Sequence, residues 1–340
     1  MEFKSAVKEH RRQLMPHFSY RMQNRFHIEQ SIDTPLEIHG HPHMSFEDRL
    51  KYYLGDFYNK TSITVYVDDK YKTFKQNGIY YYLGPDGYPD DFKFDHGYVR
   101  PGWWWHQGDF QVTFPCLTNS ADGYESDELP VLTKARIIGN YNNGILIKYE
   151  YNYHWHILHN FNDSYTWENK DNRIVWRGNS WTGHNKKYNR FTFVEKYYQH
   201  HNVGFSDTNP AYPIDCNKGP MSVEEQLKYK YLICIEGNDV ATSLKWQLLS
   251  NSVVLMSKPM IEGWLMEGLL QPYVHYIPLK EDFSDLEEIL DWCSSHDDIC
   301  RQIAQNSTRW MEQFLDYDNE LKLHDAIIQW YKTNVVFENI

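Results

Sequence analysis

Two stretches of the 340-residue chain combine residue types suited to holding an anion. The first is Glu236-Gly237-Asn238-Asp239-Val240-Ala241-Thr242-Ser243-Leu244-Lys245, directly after the apolar run 231–235. A glycine just past a buried strand lets backbone approach a ligand closely. A helix expected from about Asp239 or Val240 would present free N–H groups with the positive end of its dipole behind them, an arrangement suited to a diphosphate. Thr242 and Ser243 add hydroxyl donors, and Lys245 adds charge. The second stretch is Trp176-Arg177-Gly178-Asn179-Ser180-Trp181-Thr182-Gly183. Arg177 offers a fork of donors that matches phosphate oxygens, with Ser180 and Thr182 to reinforce it. Each loop has a plainer alternative. The first could be an ordinary helix start with Asp239 as cap and Lys245 in solvent, the second a turn with a surface arginine. Phosphate binding is the reading that accounts for both at once.

The elements that must position these loops follow from the hydrophobic pattern. From residue 173 onward, short apolar runs alternate with helical stretches. Strands are expected at 173–176, 231–235, 253–256 and 273–278. Helices are expected at 188–199, 222–228 (Ser222 and Glu225 forming a capping box), 240–250, 262–270, 286–293, 298–314 and 321–330. Such alternation implies βα units on a parallel sheet, whose strands are apolar on both faces and whose ligands sit at the strands' carboxyl ends. Both loops occupy that position. The first 165 residues are less regular. Helices are expected near 3–14 and 46–54, and strands at 63–67, 79–83, 110–116 and 145–151, separated by turns such as Gly84-Pro85-Asp86-Gly87.

Composition narrows the function classes. Net charge is −12, which argues against non-specific binding to nucleic acid or to an anionic membrane. The chain carries 27 Tyr and 12 Trp, including the run Trp103-Trp104-Trp105. Flat rings of this kind pack against the C–H face of a sugar, and they also simply fill cores. The five Cys are irregularly spaced, without a CxxC, so neither a disulfide framework nor a zinc pattern is indicated. No secretory signal and no membrane-spanning apolar stretch is visible.

The residues Lys228-Tyr229-Lys230-Tyr231-Leu232, Glu236-Gly237-Asn238-Asp239-Val240-Ala241, Ser252-Val253-Val254-Leu255 and Pro272-Tyr273-Val274-His275-Tyr276-Ile277-Pro278-Leu279, in this order, closely resemble glycosyltransferase family 90. That family includes capsule-associated and lipopolysaccharide-modifying glycosyltransferases and the protein O-glucosyltransferases. Trp176-Arg177-Gly178 looks like its aromatic-Arg-Gly signature, and the resemblance covers about residues 110–315. It implies an α/β fold of GT-B type, two Rossmann-like domains facing a cleft, with residues 1–168 on the acceptor side and 169–308 binding the nucleotide sugar. Residues 309–340 would form terminal helices packing back on the first domain. It also implies an inverting, metal-independent transfer from a UDP-sugar, glucose or xylose, to a glycan or glycolipid acceptor, with no cofactor. The catalytic base of such enzymes often closes an Asn-x-x-Asp stretch in the N-terminal half. Asn119-Ser120-Ala121-Asp122 resembles it, although Ala121 replaces the family's arginine, and Asp127, Asp68 and Asp69 remain alternatives. Lys134-Ala135-Arg136 resembles a basic stretch of bacterial members and is a candidate donor or acceptor contact. A cytoplasmic setting, bacterial or virus-encoded, is expected.

Two rival readings stand beside this one. A carbohydrate-binding module would use the aromatic residues but has no need of a phosphate apparatus. A hydrolase would need paired carboxylates such as Asp90 and Asp91, whose geometry nothing in the sequence fixes. The histidine patterns His39-Gly40-His41-Pro42-His43 and His154-Trp155-His156 lack a carboxylate or Cys partner at a ligand spacing, so no metal site is assigned.

Overall fold

The apolar runs form strands and the amphipathic runs form helices in a computed structural model that describes residues 43–67, 73–76, 79–84, 116–119, 129–139, 144–148, 158, 161–180 and 188–339. The strands are β1 (Ile63–Val67), β2 (Thr73–Gln76), β3 (Ile79–Gly84), β4 (Cys116–Asn119), β5 (Leu132–Thr133), β6 (Arg136–Ile137), β7 (Ile145–Leu146), β8 (Asp171–Gly178), β9 (Asn202–Phe205), β10 (Tyr229–Cys234), β11 (Val253–Ser257), β12 (Ile261–Glu262), β13 (Ile277–Leu279) and β14 (Val335–Asn339). The helices are α1 (Phe46–Leu54), α2 (Arg190–Tyr197), α3 (Val223–Gln226), α4 (Leu244–Leu249), α5 (Leu286–Ser295), α6 (Asp297–Glu312) and α7 (Tyr317–Asn334).

The second half is built on an all-parallel sheet in the order β13-β11-β10-β8-β9. Alternate residues of each strand face opposite sides. Ile174, Trp176, Tyr231, Ile233, Val253, Leu255 and Ile277 join one core with Phe193 and Val194 of α2 and Ile289 of α5. Val254 and Met256 join a second core on the other face, with Leu244 and Leu248 of α4 and Trp310 of α6. This pattern is why the strands read as unbroken apolar runs. From β8 the chain passes to β9 on one side, then returns to β10 on the other and continues outward. The order therefore reverses between β8 and β10, which makes that gap the topological switch point.

The first half contributes a sheet ordered β2-β3-β4-β5-β7. Its first three strands are antiparallel, while β4, β5 and β7 are parallel, so Asn119, Thr133 and Leu146 end on one edge. Two further pairings join the halves: β6 with β12, antiparallel, and β1 with β14, parallel. Arg136 seals the first junction. Its Nε lies 2.7 Å from a Glu262 carboxylate oxygen with both side chains fully buried, and it also donates to the Tyr52 carbonyl at 2.7 Å. At the second junction α7 lies on α1, with Glu320 accepting from Arg49 and Lys148 in the core and the Tyr331 hydroxyl accepting from Leu117 N at 2.9 Å.

Several sequence expectations change. The helix expected at 240–250 spans only Leu244–Leu249, because Asn238–Val240 bend sharply while Glu236 and Asp239 are tied to neighbouring loops. The helix expected at 262–270 is replaced by β12 and a single 3-10 turn, Glu267–Leu269, since Glu262 is committed to Arg136 and Met266 adopts φ 58°. The capping box at Ser222 and Glu225 is present on a helix of one turn. The strand expected at 273–278 begins at Ile277, Tyr273 having φ 59°. The edge strand β9 was not expected. Its Gly204 is required because a Cβ there would lie 2.6 Å from Lys218 Cγ and 2.8 Å from the Cys216 carbonyl oxygen. The helix expected at 3–14, the tryptophan run 103–105, His39, His41, His154 and His156 lie outside the described residues.

Candidate functional site

Both sequence-selected loops leave the carboxyl ends of the strands that flank the switch point. In the loop after β8, Gly178 is dictated by Trp176. The ring folds over it so closely that a Cβ at 178 would sit 2.4 Å from Cζ2 and 2.7 Å from Cη2. Trp176 is held by edge contacts with Phe193 and Phe205 and lies beneath the Arg190 guanidinium, 6.0 Å from the ring centroid. Arg190 opens α2, whose N-cap Asn189 accepts from the amides of Phe191 and Thr192, and its Nη1 donates to the Asn179 carbonyl at 3.0 Å. Ser180 is fully buried and donates both its amide, at 2.8 Å, and its hydroxyl, at 2.7 Å, to the Asp207 carboxylate. Burial pulls the Arg190 pKa down to about 10, opposed by nearby Cys234 and Asp207, so the group is cationic at neutral pH.

The loop after β10 is held open by its own side chains. One Glu236 oxygen accepts from the amides of Met260 and Ile261, at 3.0 and 3.2 Å, fixing the loop after β10 to the loop after β11. Asp239 pairs with Lys134 at 3.0 Å, a contact that reaches across from the β5–β6 corner of the other half. Gly237 and Ala241 are buried, while Thr242 is exposed at the turn before α4. Ser243 hydrogen-bonds the Cys234 thiol, whose pKa burial pushes up to about 12, so Cys234 is a neutral thiol rather than a nucleophile at pH 7.

The expected site residues therefore divide. Gly178, Ser180, Glu236, Gly237, Asn238, Asp239, Ala241, Thr242 and Ser243 line or brace the carboxyl edge at the switch point. Arg177 points elsewhere. It sits on the face opposite Trp176 and donates to the carbonyls of Trp176 and Asn202, at 2.8 and 2.9 Å, and to the Asn202 side chain at 2.6 Å. Its fork thereby ties β8 to the edge strand. Lys245 is 1% exposed and pairs with Glu267 at 3.3 Å beneath the loop, and burial raises the pKa of that carboxylate. Arg136 is committed to Glu262. Thr182, Asp122, Asp127, Asp68 and Asp69 lie outside the described residues. The sequence reading missed Arg190 and Asp207. The signal for Arg190 was a basic residue opening the helix after the first loop, directly behind an Asn cap. Asp207 lies just past a strand that the sequence reading did not contain. No group of three or more His, Cys, Asp and Glu among the described residues is arranged to hold a metal ion.

Comparison with known proteins bears on this geometry. The chain is 38% identical over 197 residues to the O-glucosyltransferase LpsA of Dichelobacter nodosus, a match covering 57% of this chain and 59% of that protein. It is 34% identical over 105 residues to protein O-glucosyltransferase 2 of Danio rerio, covering 31% of this chain and 21% of the relative. It is also 37% identical over 108 residues to the uncharacterized protein 179R of Invertebrate iridescent virus 6, covering 30% of this chain and 9% of the relative. The chain thus spans less than two thirds of the length of each of these relatives. Glycosyl transferase family 90 matches residues 147–338, more than half of the chain, and takes in the parallel sheet, both switch-point loops and α7. The chain belongs to glycosyltransferase family 90.

Proposed function

We propose that this protein transfers a sugar from a UDP-sugar to a hydroxyl of a glycan or glycolipid, with inversion at the anomeric carbon and without a metal ion. The observation that carries this reading is the switch point, where two family-matched loops leave adjacent strands and bring Arg190, Asn179, Ser180 and the 238–243 turn to one edge. Crevices at that position of doubly wound sheets take nucleotides. Arg190 is the cation we assign to the diphosphate. Arg177 and Lys245 support the site from behind, the first by fixing the edge strand and the second by bracing the loop against Glu267. Thr182, Thr242 and Ser243 supply hydroxyl donors, and basic side chains take the role a metal would have.

A GT-B arrangement, with residues 1–168 and 169–308 as its two domains and 309–340 returning to the first, is supported by how the edges meet. The carboxyl edge formed by Asn119, Thr133 and Leu146 leads, one residue past Thr133, to the Lys134–Asp239 contact with the donor-side loop. Asp122 is three residues beyond Asn119, the last residue of β4, whose partner in the sheet is Thr133. That supports Asp122 as the base that takes the acceptor proton. Glucose is favoured over xylose by the names of the relatives, and a protein acceptor is the second reading on the same ground. The test is a thermal-shift comparison of UDP, GDP, ADP and TDP in EDTA. UDP alone should raise the unfolding midpoint. A shift with another nucleotide and none with UDP would remove the uridine assignment.

A further inference from the structure

Among the described residues, Lys134 and Asp239 form a side-chain ion pair that reaches from the first-half sheet to the loop after β10. The geometry points to a function for this pair: it is a diphosphate-operated latch, in which Asp239 holds the Lys134 ammonium in reserve and surrenders it to the donor's phosphates. This inference rests on the reading of the switch point as a diphosphate site.

Lys134 occupies a rigid corner. Val131, Leu132 and Thr133 before it and Ala135 and Arg136 after it are buried, the Thr133 hydroxyl donates to the Ala135 carbonyl at 2.9 Å, and Arg136 is locked to Glu262. The Lys134 carbonyl oxygen lies 3.0 Å from where a Cβ of Gly263 would be, so the corner is packed directly on the segment after β12. The side chain is the partly open part of this corner. Its ammonium lies 3.0 Å from Asp239 Oδ2, with the two side chains 29% and 15% exposed, shielded enough for a charge pair to matter and open enough for a ligand to enter. Asp239 stands in the bend 238–240, five residues beyond Cys234 at the end of β10, and Arg190 donates to the Asn179 carbonyl just past the end of the neighbouring β8. A diphosphate at the end of β10 would meet Arg190 on one side and this pair on the other. It also carries more negative charge than the single carboxylate it would displace. Transfer of the ammonium from Asp239 to phosphate would add a cation from the opposite half, tying occupancy by donor to the fit between the halves.

The test measures binding of UDP, uridine and inorganic pyrophosphate to the full chain by titration calorimetry, for the wild type, Lys134→Met, Asp239→Asn and the double variant. Thermal unfolding serves as the fold control. Lys134→Met should weaken UDP and pyrophosphate by about tenfold or more, the scale of a lost charge-assisted hydrogen bond, leave uridine unaffected, and flatten the dependence of UDP affinity on salt. Asp239→Asn should tighten UDP by roughly two- to fivefold, as expected for release of a partly exposed pair, and that gain should vanish in the double variant. Weaker UDP binding by Asp239→Asn, or equal loss of UDP and uridine by Lys134→Met, would overturn the latch. Failure of the wild type to bind UDP while pyrophosphate binds and follows this pattern would count against the uridine donor alone. Binding of neither would remove the diphosphate site and the latch with it.

Discussion

Replacing the two arginines that flank Trp176 separates a ligand contact from a structural tie. Arg177→Ala removes three hydrogen bonds at 2.6–2.9 Å, one to the Trp176 carbonyl within β8 and two that join β8 to β9 through the Asn202 carbonyl and side chain. Leaving partly buried acceptors without their donor costs about 1–3 kcal/mol. Arg177 and Asn202 are only partly buried, which argues for the lower part of that range. Among the described residues, Arg190→Ala removes the hydrogen bond to the Asn179 carbonyl, worth about 1 kcal/mol of stability. It also removes the cation that reaches the Asn179 carbonyl just past the end of β8. A charged hydrogen bond to phosphate is worth about 1.5–3 kcal/mol, or roughly a 10- to 150-fold change in UDP dissociation constant. Urea unfolding and UDP titration on both variants give the two quantities independently. Arg177→Ala should lower the urea midpoint while the folded protein binds UDP within about threefold of wild type, and Arg190→Ala should do the reverse. If Arg177→Ala weakens UDP tenfold at unchanged stability, the guanidinium reaches the donor and its bonds to Asn202 do not hold it.

Gly178→Ala places a methyl group within 2.4 Å of the Trp176 ring and should destabilise the protein by about 1–3 kcal/mol, with a shifted tryptophan emission spectrum; an unperturbed spectrum and midpoint would count against the packing. His324 is buried on α7, and burial, with Lys148 nearby, lowers its pKa to about 3 from 6.5. Between those values the unfolded chain binds a proton that the folded chain does not, so stability falls as pH falls. The loss from this residue between pH 7 and 5 should be about 2 kcal/mol, and His324→Gln should abolish that component in pH-dependent urea unfolding. Asp122→Asn should cut turnover by roughly 10²–10⁴-fold while UDP affinity is kept. Retention of more than about a tenth of the rate would move the base to Asp127, Asp68 or Asp69.

The parallel sheet was legible because strands buried on both faces leave an unmistakable apolar run, as in 231–235 and 253–256. The loops at its carboxyl edge followed from topology. Side-chain direction was not legible. Arg177 reads as a phosphate ligand in sequence, and only strand alternation and the site of Asn202 show that it turns to the far face. Lys245 reads as a helix-face cation, yet Glu267, twenty-two residues on, captures it in the core. The helix expected at 262–270 failed for a related reason: Glu262, Glu267 and Met266 have good helix propensity, but tertiary partners claim both carboxylates. The strand β9 was hidden by its length of four residues and by Gly204, needed for a close approach to Lys218 and Cys216.

The most direct test is to follow, by NMR, the anomeric proton of the sugar in UDP-glucose and UDP-xylose incubated with the protein, an oligosaccharide acceptor pool and EDTA. UDP release together with a β-linked product from the α-linked donor is the expected result. A product with retained configuration, or turnover that stops in EDTA and returns with manganese or magnesium, would contradict the inverting, metal-independent transfer assigned to the switch-point site.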